Sequence, residues 1–147
     1  MQDKRGVFMG KVIAVCTSEK KGTQKTSIPE IDVRDWGIQG DAHAGKWHRQ
    51  VSLLSYEKIE AFRARGAEIE DGAFGENIIV QGIDFATLPV GTKFACNDVV
   101  LELTQIGKEC HSGCAIFKKM GECIMGVFTK VLHGGIIRPG DELTILE

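Results

Sequence analysis

Short runs of β-branched and apolar residues alternate with glycine along most of this chain. The 147 residues include 18 glycines but only 3 prolines. Glycine tolerates the backbone conformations that tight turns require, and β-branched residues favour extended strands. This punctuation is typical of many short strands joined by turns. We therefore predict a mainly β fold, a closed or nearly closed barrel with a few short helices.

The predicted elements follow the apolar runs in chain order. Strands are expected over Val7 to Thr17, Thr26 to Val33 with a break at Pro29, Gln50 to Leu54, Asn77 to Gly82, Phe94 to Leu103 as two strands around Asn97, and Glu142 to Leu146. Gly126 to Leu132 and Ile136–Ile137 are predicted to pair as a hairpin across a glycine turn. Ser55 to Arg65 is predicted to be a helix capped by Ser55. Ala115 to Met120 predicts one or two further helical turns.

Length and composition indicate one ordinary globular domain over residues 1–147. Hydrophobic residues make up 43% and charged residues 26% of the chain, and the formal net charge is -2. A charge this small gives no bulk attraction to nucleic acid or to a membrane, and no apolar run is long enough to span a bilayer. The odd count of five cysteines, without a cleavage site after the first strand, favours reduced thiols. We expect a cytoplasmic protein with no nucleic-acid or membrane partner.

A thiol surrounded by ionisable residues follows the run that ends at Leu103. The stretch reads Thr104-Gln-Ile-Gly-Lys-Glu-Cys-His-Ser-Gly-Cys114. Lys108 and a protonated His111 would favour the thiolate of Cys110, whereas Glu109 would oppose it. Because the thiolate is the form that attacks or binds metal, we predict Cys110 to be the working atom. Cys16, in contrast, is predicted to be a buried core residue.

The segment from Gly37 to Gln50 is dense in glycine and polar side chains. Gly40, four residues and then Gly45-Lys46 resemble a phosphate loop, but Trp47 stands where magnesium binding needs Ser or Thr. Asp41 would also place a negative charge beside the phosphates. The nucleotide-hydrolysing interpretation therefore fails, while an anion nest of backbone N–H groups stays open.

Several polar residues near these glycines admit both a structural and a functional interpretation. His43 and His48 are five residues apart, which is not the spacing of a helical metal pair, so both are equally explained as loop histidines. Arg49, at the lip of a strand, suits either a surface ion pair or a bidentate clamp for phosphate or carboxylate. Glu76 and Asn77 suit a turn, or Asn77 could offer its amide to a ligand.

Two other uses of the cysteines remain open at this point. A zinc site is one, with the candidate ligands Cys110, His111, Cys114 and Cys123. Its spacing lacks the recurrent second pair that structural zinc sites have. A redox switch is the other, in which Cys114 resolves an oxidised Cys110 as a disulfide.

Four stretches together resemble the MOSC domain, a family named for the C-terminal part of molybdenum cofactor sulfurases. They are Gly37-Ile-Gln-Gly40-Asp41-Ala-His43-Ala-Gly45 with Arg49-Gln-Val-Ser-Leu-Leu, Phe74-Gly75-Glu76-Asn77-Ile78, Cys110 after a β run, and Gly135-Ile-Ile-Arg-Pro-Gly140-Asp141. The resemblance extends over nearly the whole chain. It implies a single β-barrel domain with a cysteine at its functional site.

The resemblance also implies roles for individual residues. Cys110 would carry sulfur as a persulfide or ligate the molybdenum of a bound pterin cofactor. The implied cofactor-binding residues are His43, Arg49 and Asn77, with Gly40, Asp41 and Gly75 shaping the loops and Lys108 and His111 flanking the thiol. Many members have an arginine and a proline before this cysteine, whereas this chain has Lys108-Glu109. The positive charge is kept, but the guanidinium fork and the proline's rigidity are lost.

The implied partners are other proteins of molybdenum cofactor metabolism. Sulfurases of the family contain a pyridoxal-phosphate desulfurase domain, for which 147 residues leave no room. A cysteine desulfurase or another sulfur donor would then be a separate, pyridoxal-phosphate-containing protein, and the acceptor a molybdoenzyme or a cofactor biosynthesis protein. The alternative is a small molybdenum-dependent reductase of N-hydroxylated compounds, in which Cys110 ligates the metal.

Overall fold

The structure, a computed structural model, describes residues 9–20, 24–107 and 126–146. Eleven strands and one α-helix lie in these ranges, together with a 3-10 turn at Phe85–Thr87. The strands are β1 Met9–Thr17, β2 Thr26–Ile28, β3 Ile31–Arg34, β4 Gly37–Ile38, β5 Val51–Ser55, β6 Ile78–Gln81, β7 Lys93–Cys96, β8 Val99–Ile106, β9 Val127–His133, β10 Gly135–Ile137 and β11 Glu142–Leu146, and the helix is α1 Tyr56–Ala64.

Seven of the strands close into a barrel. Their order is β11-β7-β8-β9-β5-β6-β1, and the pairing of β1 with β11 completes the ring. All neighbours are antiparallel except β5 and β6, which run parallel. A parallel pair needs a crossover connection, and α1 lies in it. The predicted mainly β barrel is confirmed.

Two apolar clusters fill the fold. The barrel interior contains Val12, Phe94 and Leu101, each at most 1% exposed. A second cluster packs α1 against the barrel wall through Ile59 and Phe62. Inside the barrel, Phe85 lies edge-on to Phe94 with ring centroids 5.4 Å apart. Burying a side chain of this size stabilises the fold by about 1.5–3 kcal/mol.

A smaller sheet has the strand order β10-β3-β4, and its pairing differs from one prediction. The hairpin predicted between 126–132 and 136–137 is wrong, since β9 pairs with β5 and β8 while β10 pairs with β3. A Cβ at Gly134 would lie 2.4 Å from the carbonyl oxygen of Val33. This glycine therefore permits a close crossing onto β3 rather than a turn back onto β9.

Two further local predictions differ in detail. The strand expected over Thr26 to Val33 is two strands in different sheets, because the chain turns at Pro29. Ser55 precedes α1 but makes no side-chain cap, and its hydroxyl instead donates to the carbonyl of Ile83 at 2.5 Å. The helical turns predicted at 115–120 lie outside the described residues. Among the residues described, no helix has the length and apolar character needed to cross a membrane.

Candidate functional site

Two glycine-bearing loops meet at one buried lysine. We call residues 37–50 the first glycine loop and residues 72–77 the second. The Lys25 ammonium lies 2.8 Å from Oδ1 of Asp41 in the first loop, and both side chains are fully buried. The Lys25 backbone N–H donates to the carbonyl of Gly72 in the second loop at 2.9 Å. Nothing in the sequence pattern singles out Lys25, because one lysine between polar neighbours gives no sign of burial.

Asp41 holds the first loop in shape. Its Oδ1 accepts the Ser18 backbone N–H at 3.1 Å, and its Oδ2 accepts that of His43 at 3.0 Å. Burial raises the pKa of Asp41, but hydrogen bonds from the His43 backbone N–H and the Lys25 ammonium, together with the lysine charge, outweigh it, so this pKa lies well below its ordinary value. The carboxylate is therefore ionised and its charge is matched, which removes the repulsion of an anion that the sequence led us to expect.

His43 lies at the exposed edge of this pair. Its Nδ1 is 2.9 Å from the Lys25 ammonium nitrogen, and its side chain is 20% exposed. The imidazole stacks on the Trp47 indole, with the two planes 3° apart and the centroids separated by 6.1 Å. The indole N–H donates to the His43 carbonyl at 2.7 Å. The stacking and this hydrogen bond together hold His43 and Trp47 against each other. Nε2 is the ring nitrogen of His43 that has no partner among the described residues.

Arg49 and His48 both contact the end of β8. Nε of Arg49 donates to the Gln105 side-chain oxygen at 3.0 Å, and Nε2 of His48 lies 2.8 Å from the same oxygen. The guanidinium carbon is 5.2 Å from the centroid of Phe128 and 5.9 Å from that of Trp47. Within the described part of the chain, the terminal nitrogens of Arg49 have no hydrogen-bond partner. These two terminal nitrogens, which no described residue engages, form a fork of the kind that matches an oxyanion.

The central backbone amides of the first loop, those of residues 41 to 45, are already occupied. The N–H groups of residues 41 to 45 all donate to acceptors within the protein, at 2.6–3.1 Å. The buried amide of Gln50 adds to this by donating to the carbonyl of Gly45 at 2.7 Å and accepting the Val131 N–H at 2.8 Å. An anion nest built from the amides of residues 41 to 45 is excluded, because each of them already has an acceptor within the protein.

Asn77 anchors the end of the second loop to two barrel strands. This residue is 0% exposed. Its side-chain oxygen accepts the Ser52 backbone N–H at 3.0 Å, and its amide nitrogen donates to the Cys16 carbonyl at 3.0 Å. The Asn77 amide thus bridges β1 and β5. An interior amide with both ends paired is a positioning group in the first instance.

Glu76 stabilises the same loop through backbone hydrogen bonds, with no cationic partner among the described residues. Its carboxylate accepts the backbone N–H groups of Gly72 at 2.9 Å and Phe74 at 3.0 Å. Burial raises the pKa of Glu76, and the backbone hydrogen bonds offset that effect only in part. The predicted loop glycines Gly40 and Gly75 have φ of 82° and 81°, with open space where a Cβ would stand. Their backbone conformation, rather than crowding, requires glycine.

The MOSC domain family matches the chain over residues 40–144. The chain belongs to the MOSC domain family. Members of the family are associated with molybdenum cofactor-related proteins. The fold is similar to that of the YuaD protein from Bacillus subtilis, with a TM-score of 0.79 and 19% identity over 95% of this chain and 96% of that one.

Two further solved structures share the MOSC fold. YiiM from Geobacillus stearothermophilus is 20% identical over 95% of this chain and 75% of its own, with a TM-score of 0.72. YiiM from Escherichia coli is 16% identical over 95% and 70%, with a TM-score of 0.66. Comparison with curated proteins gives no match.

The cysteine predicted to define this MOSC site lies outside the described residues, as do Lys108 and His111. The zinc set proposed from sequence lies there as well. The residues described contain no cluster of three or more His, Cys, Asp or Glu side chains that could hold a metal. Cys16 and Cys96 are buried in the barrel wall, and burial raises the pKa of each thiol to about 12. The prediction that Cys16 is a core residue is confirmed.

Proposed function

We propose that this MOSC domain handles sulfur or molybdenum in cytoplasmic molybdenum cofactor metabolism through Cys110, as a persulfide carrier or as a metal ligand. The contact between Arg49 and Gln105, 3.0 Å long, carries the proposal. It brings the Arg49 guanidinium, whose terminal nitrogens no described residue engages, to the end of β8, the strand that leads into the Cys110 segment. The guanidinium proposed to bind the anion is therefore close to the point where the thiol segment begins.

Chain connectivity supports this placement. The Gly107 N–H donates to the Gly126 carbonyl at 2.7 Å, which ties the end of β8 to the start of β9. Three residues of fully extended chain span at most about 11 Å. Covalent geometry alone therefore keeps the Cα atoms of Gly107 and Cys110 within that distance of each other. Gln105 is two residues before Gly107 and contacts both Arg49 and His48.

The residues at this site fit a pterin cofactor that carries a phosphate. Arg49 offers terminal N–H groups in fork geometry, and the exposed Lys46, three residues earlier in the same loop, adds an ammonium group. His43 and Arg49 both contact the Trp47 indole, at 6.1 Å between ring centroids and 5.9 Å from the guanidinium carbon to the ring centroid. A bound molybdenum centre would supply a metal that takes a deprotonated thiolate as ligand. The chain's own part is to hold the phosphate and keep the Cys110 thiol accessible.

As a sulfur carrier, Cys110 would react by thiolate exchange. Its thiolate attacks the outer sulfur of a persulfide on a donor such as a cysteine desulfurase. One S–S bond forms on Cys110 while another breaks, and the donor leaves as a thiolate, so that no external oxidant or reductant is needed. Pyridoxal phosphate belongs to the separate donor in this scheme. The acceptor is a molybdoenzyme or a cofactor biosynthesis protein.

Mass spectrometry tests the sulfur transfer. Wild-type protein incubated with a cysteine desulfurase and cysteine should gain one sulfur atom, mapped by peptide analysis to Cys110, and Cys110→Ser should gain none. Cys114→Ser is the matched control, since it removes a neighbouring thiol and should still be loaded. Cys16 and Cys96 should stay unmodified, because their buried thiols form little thiolate.

Elemental and pterin analysis tests the metal arm. Protein purified from molybdate-supplied cells of the native host should contain molybdenum and pterin, and Cys110→Ser should lose the molybdenum. Circular dichroism spectra of the two proteins should coincide. The absence of both a sulfur adduct and molybdenum from wild-type protein would refute the proposal, whereas one zinc per chain would restore the zinc-site alternative.

A further inference from the structure

We propose that Lys25 fixes the tautomer of His43, so that the neutral imidazole presents its Nε2–H as a donor to an acceptor atom of the bound ligand. The tautomer follows from contacts within the protein. The role toward a ligand rests on the function proposed above, and the ligand group is an anionic oxygen or sulfur atom.

The Lys25 ammonium has a complete set of acceptors. It carries three N–H donors and no lone pair. Its three neighbours are Oδ1 of Asp41 at 2.8 Å, Nδ1 of His43 at 2.9 Å and Oγ of Ser18 at 3.4 Å. The Ser18 hydroxyl donates its own proton to the Lys20 carbonyl, which leaves an oxygen lone pair toward Lys25. One donor therefore remains for His43, and Nδ1 has to accept it.

Two contacts of this site are incompatible with a proton on Nδ1 of His43. It would face the ammonium across 2.9 Å, so that two donors met without an acceptor between them. Its other neighbour, Oδ2 of Asp41, is 3.7 Å away and already accepts the His43 backbone N–H at 3.0 Å. A neutral imidazole with an accepting Nδ1 carries its proton on Nε2.

This assignment restricts what the site can bind. The Nδ1 lone pair points at Lys25, and Nε2 has a proton rather than a free lone pair. His43 is therefore unsuited to ligate a metal in this state and suited to donate to an acceptor. The stacked Trp47 ring, 3° from parallel, holds the imidazole plane so that the donor has one direction. The pair of Lys25 and Asp41 acts through His43 and is a positioning pair.

His133 serves as an internal reference, because its contacts require the opposite tautomer. Nδ1 of His133 lies 2.7 Å from the Asp98 carbonyl and 3.0 Å from that of Gly134. Carbonyl oxygens only accept hydrogen bonds, so His133 must carry its proton on Nδ1. Two histidines in one molecule are thus expected to show opposite tautomers.

Two-bond ¹H–¹⁵N correlation spectra of ¹⁵N-labelled wild-type protein test the tautomer directly. With assignments from His43→Gln and His133→Gln, His43 should show the Nε2–H pattern at neutral pH and His133 the Nδ1–H pattern. The double variant Lys25→Met with Asp41→Asn removes both charges together, which avoids an unpaired buried ion. In it, His43 should change to a mixture of tautomers while His133 is unchanged. An Nδ1–H or doubly protonated His43 in the wild type would overturn the inference.

Inorganic phosphate, as a probe anion, tests the donor role. We expect phosphate to shift the His43 Nε2 signal. In His43→Gln the amide nitrogen reaches the position of Nε2, whereas in His43→Asn it reaches only that of Nδ1. Phosphate affinity should fall about tenfold or more in His43→Asn and by less in His43→Gln, as expected for loss of one hydrogen bond to a charged group. Equal losses, or no shift of Nε2, would refute the donor role, and sulfur loading of Cys110 remains a separate measurement.

Discussion

The two glycine loops both contain a buried carboxylate, but the two charges are balanced differently. Asp41 of the first loop pairs with a buried ammonium at 2.8 Å. Glu76 of the second loop, 3% exposed, is held by two backbone N–H groups and has no ion pair within the described residues. Burial raises the pKa of Glu76, whereas the contacts of Asp41 lower its pKa.

Among the described residues, the two loops also differ in how many side-chain hydrogen-bonding groups are already engaged. In the first loop, Nε2 of His43 and the two terminal nitrogens of Arg49 have no partner within the described part of the chain. In the second loop, both ends of the Asn77 amide and both oxygens of Glu76 are engaged within the protein. We infer that the first loop forms the binding surface and that the second has a structural role.

Lys25→Met gives the largest expected effect on this comparison. Methionine keeps the apolar stem but leaves the Asp41 carboxylate buried without its cation. Breaking a buried pair from one side typically costs about 3–5 kcal/mol. Urea denaturation should therefore show a free energy of unfolding lower by that amount. The matched control is Lys58→Met, since Lys58 and Asp84 form an exposed pair 3.4 Å apart. Its loss should cost less than about 1 kcal/mol, and equal losses would remove the distinction between the two pairs.

Asn77→Ala tests whether the second loop is mainly a support. The variant leaves the Ser52 N–H and the Cys16 carbonyl buried without their partner. At about 1–3 kcal/mol for a buried group left unpaired, we expect a loss of about 2–4 kcal/mol by urea denaturation. The exposed Gln39→Ala should change stability by less than about 0.5 kcal/mol. Phosphate affinity of the folded Asn77→Ala protein should stay near that of the wild type, and a tenfold loss would instead make Asn77 a ligand contact.

Much of the fold could be predicted because it depends on local pattern. The β-branched runs and their glycine boundaries locate the barrel strands, and the spacing of Tyr56, Ile59 and Phe62 locates the helix. The pairing of β10 with β3 could not be predicted, since it depends on a close approach between residues about a hundred positions apart. Adjacent strands with a glycine turn favour a hairpin locally, and the tertiary contact at Gly134 overrides that preference.

The candidate site, like the fold, could be predicted from the sequence only in part. The glycines, Asp41, His43 and Arg49 stand out by residue type, but their partners do not. Lys25 and Gln105 are ordinary polar residues in sequence, and only the folded chain shows that one is buried at Asp41 and the other joins Arg49 to β8. Charge compensation is a three-dimensional property, which is why the charge of Asp41 counted against an anion site in the sequence and does not in the structure.

Arg49→Lys tests the binding half of the comparison. Lysine keeps the positive charge but cannot make the fork or the Nε contact with Gln105 at the same time. We expect phosphate affinity, measured by calorimetry, to fall about tenfold, the effect of losing one charged hydrogen bond. Arg34→Lys is the matched control, because Arg34 makes a bidentate and solvent-accessible pair with Asp32 in β3. Phosphate affinity unaffected by Arg49→Lys would place the anion elsewhere.

The smallest expected effect is on the pH dependence of stability. It distinguishes the two loops clearly, because the contributions of Asp41 and Glu76 should change with pH in opposite directions. The pKa of Asp41 is lowered on folding, so near pH 4 the unfolded chain binds more protons than the folded one. Its contribution is complete above the unfolded pKa of about 3.9 and is lost as the pH falls below it. The pKa of Glu76 is raised, so the folded chain binds more protons above about pH 4.3, and stability falls as the pH rises.

Urea denaturation between pH 2.5 and 8, at about half-unit steps, separates the two contributions. The stability of wild type minus that of the Lys25→Met/Asp41→Asn variant should rise with pH in the acid range. Wild type minus Glu76→Gln should fall with pH above about 4.3. One proton limits each slope to about 1.4 kcal/mol per pH unit. Slopes of the same sign would mean that Glu76 has a cationic partner in the folded protein, and the contrast between a charge-compensated and an amide-held loop would then fail.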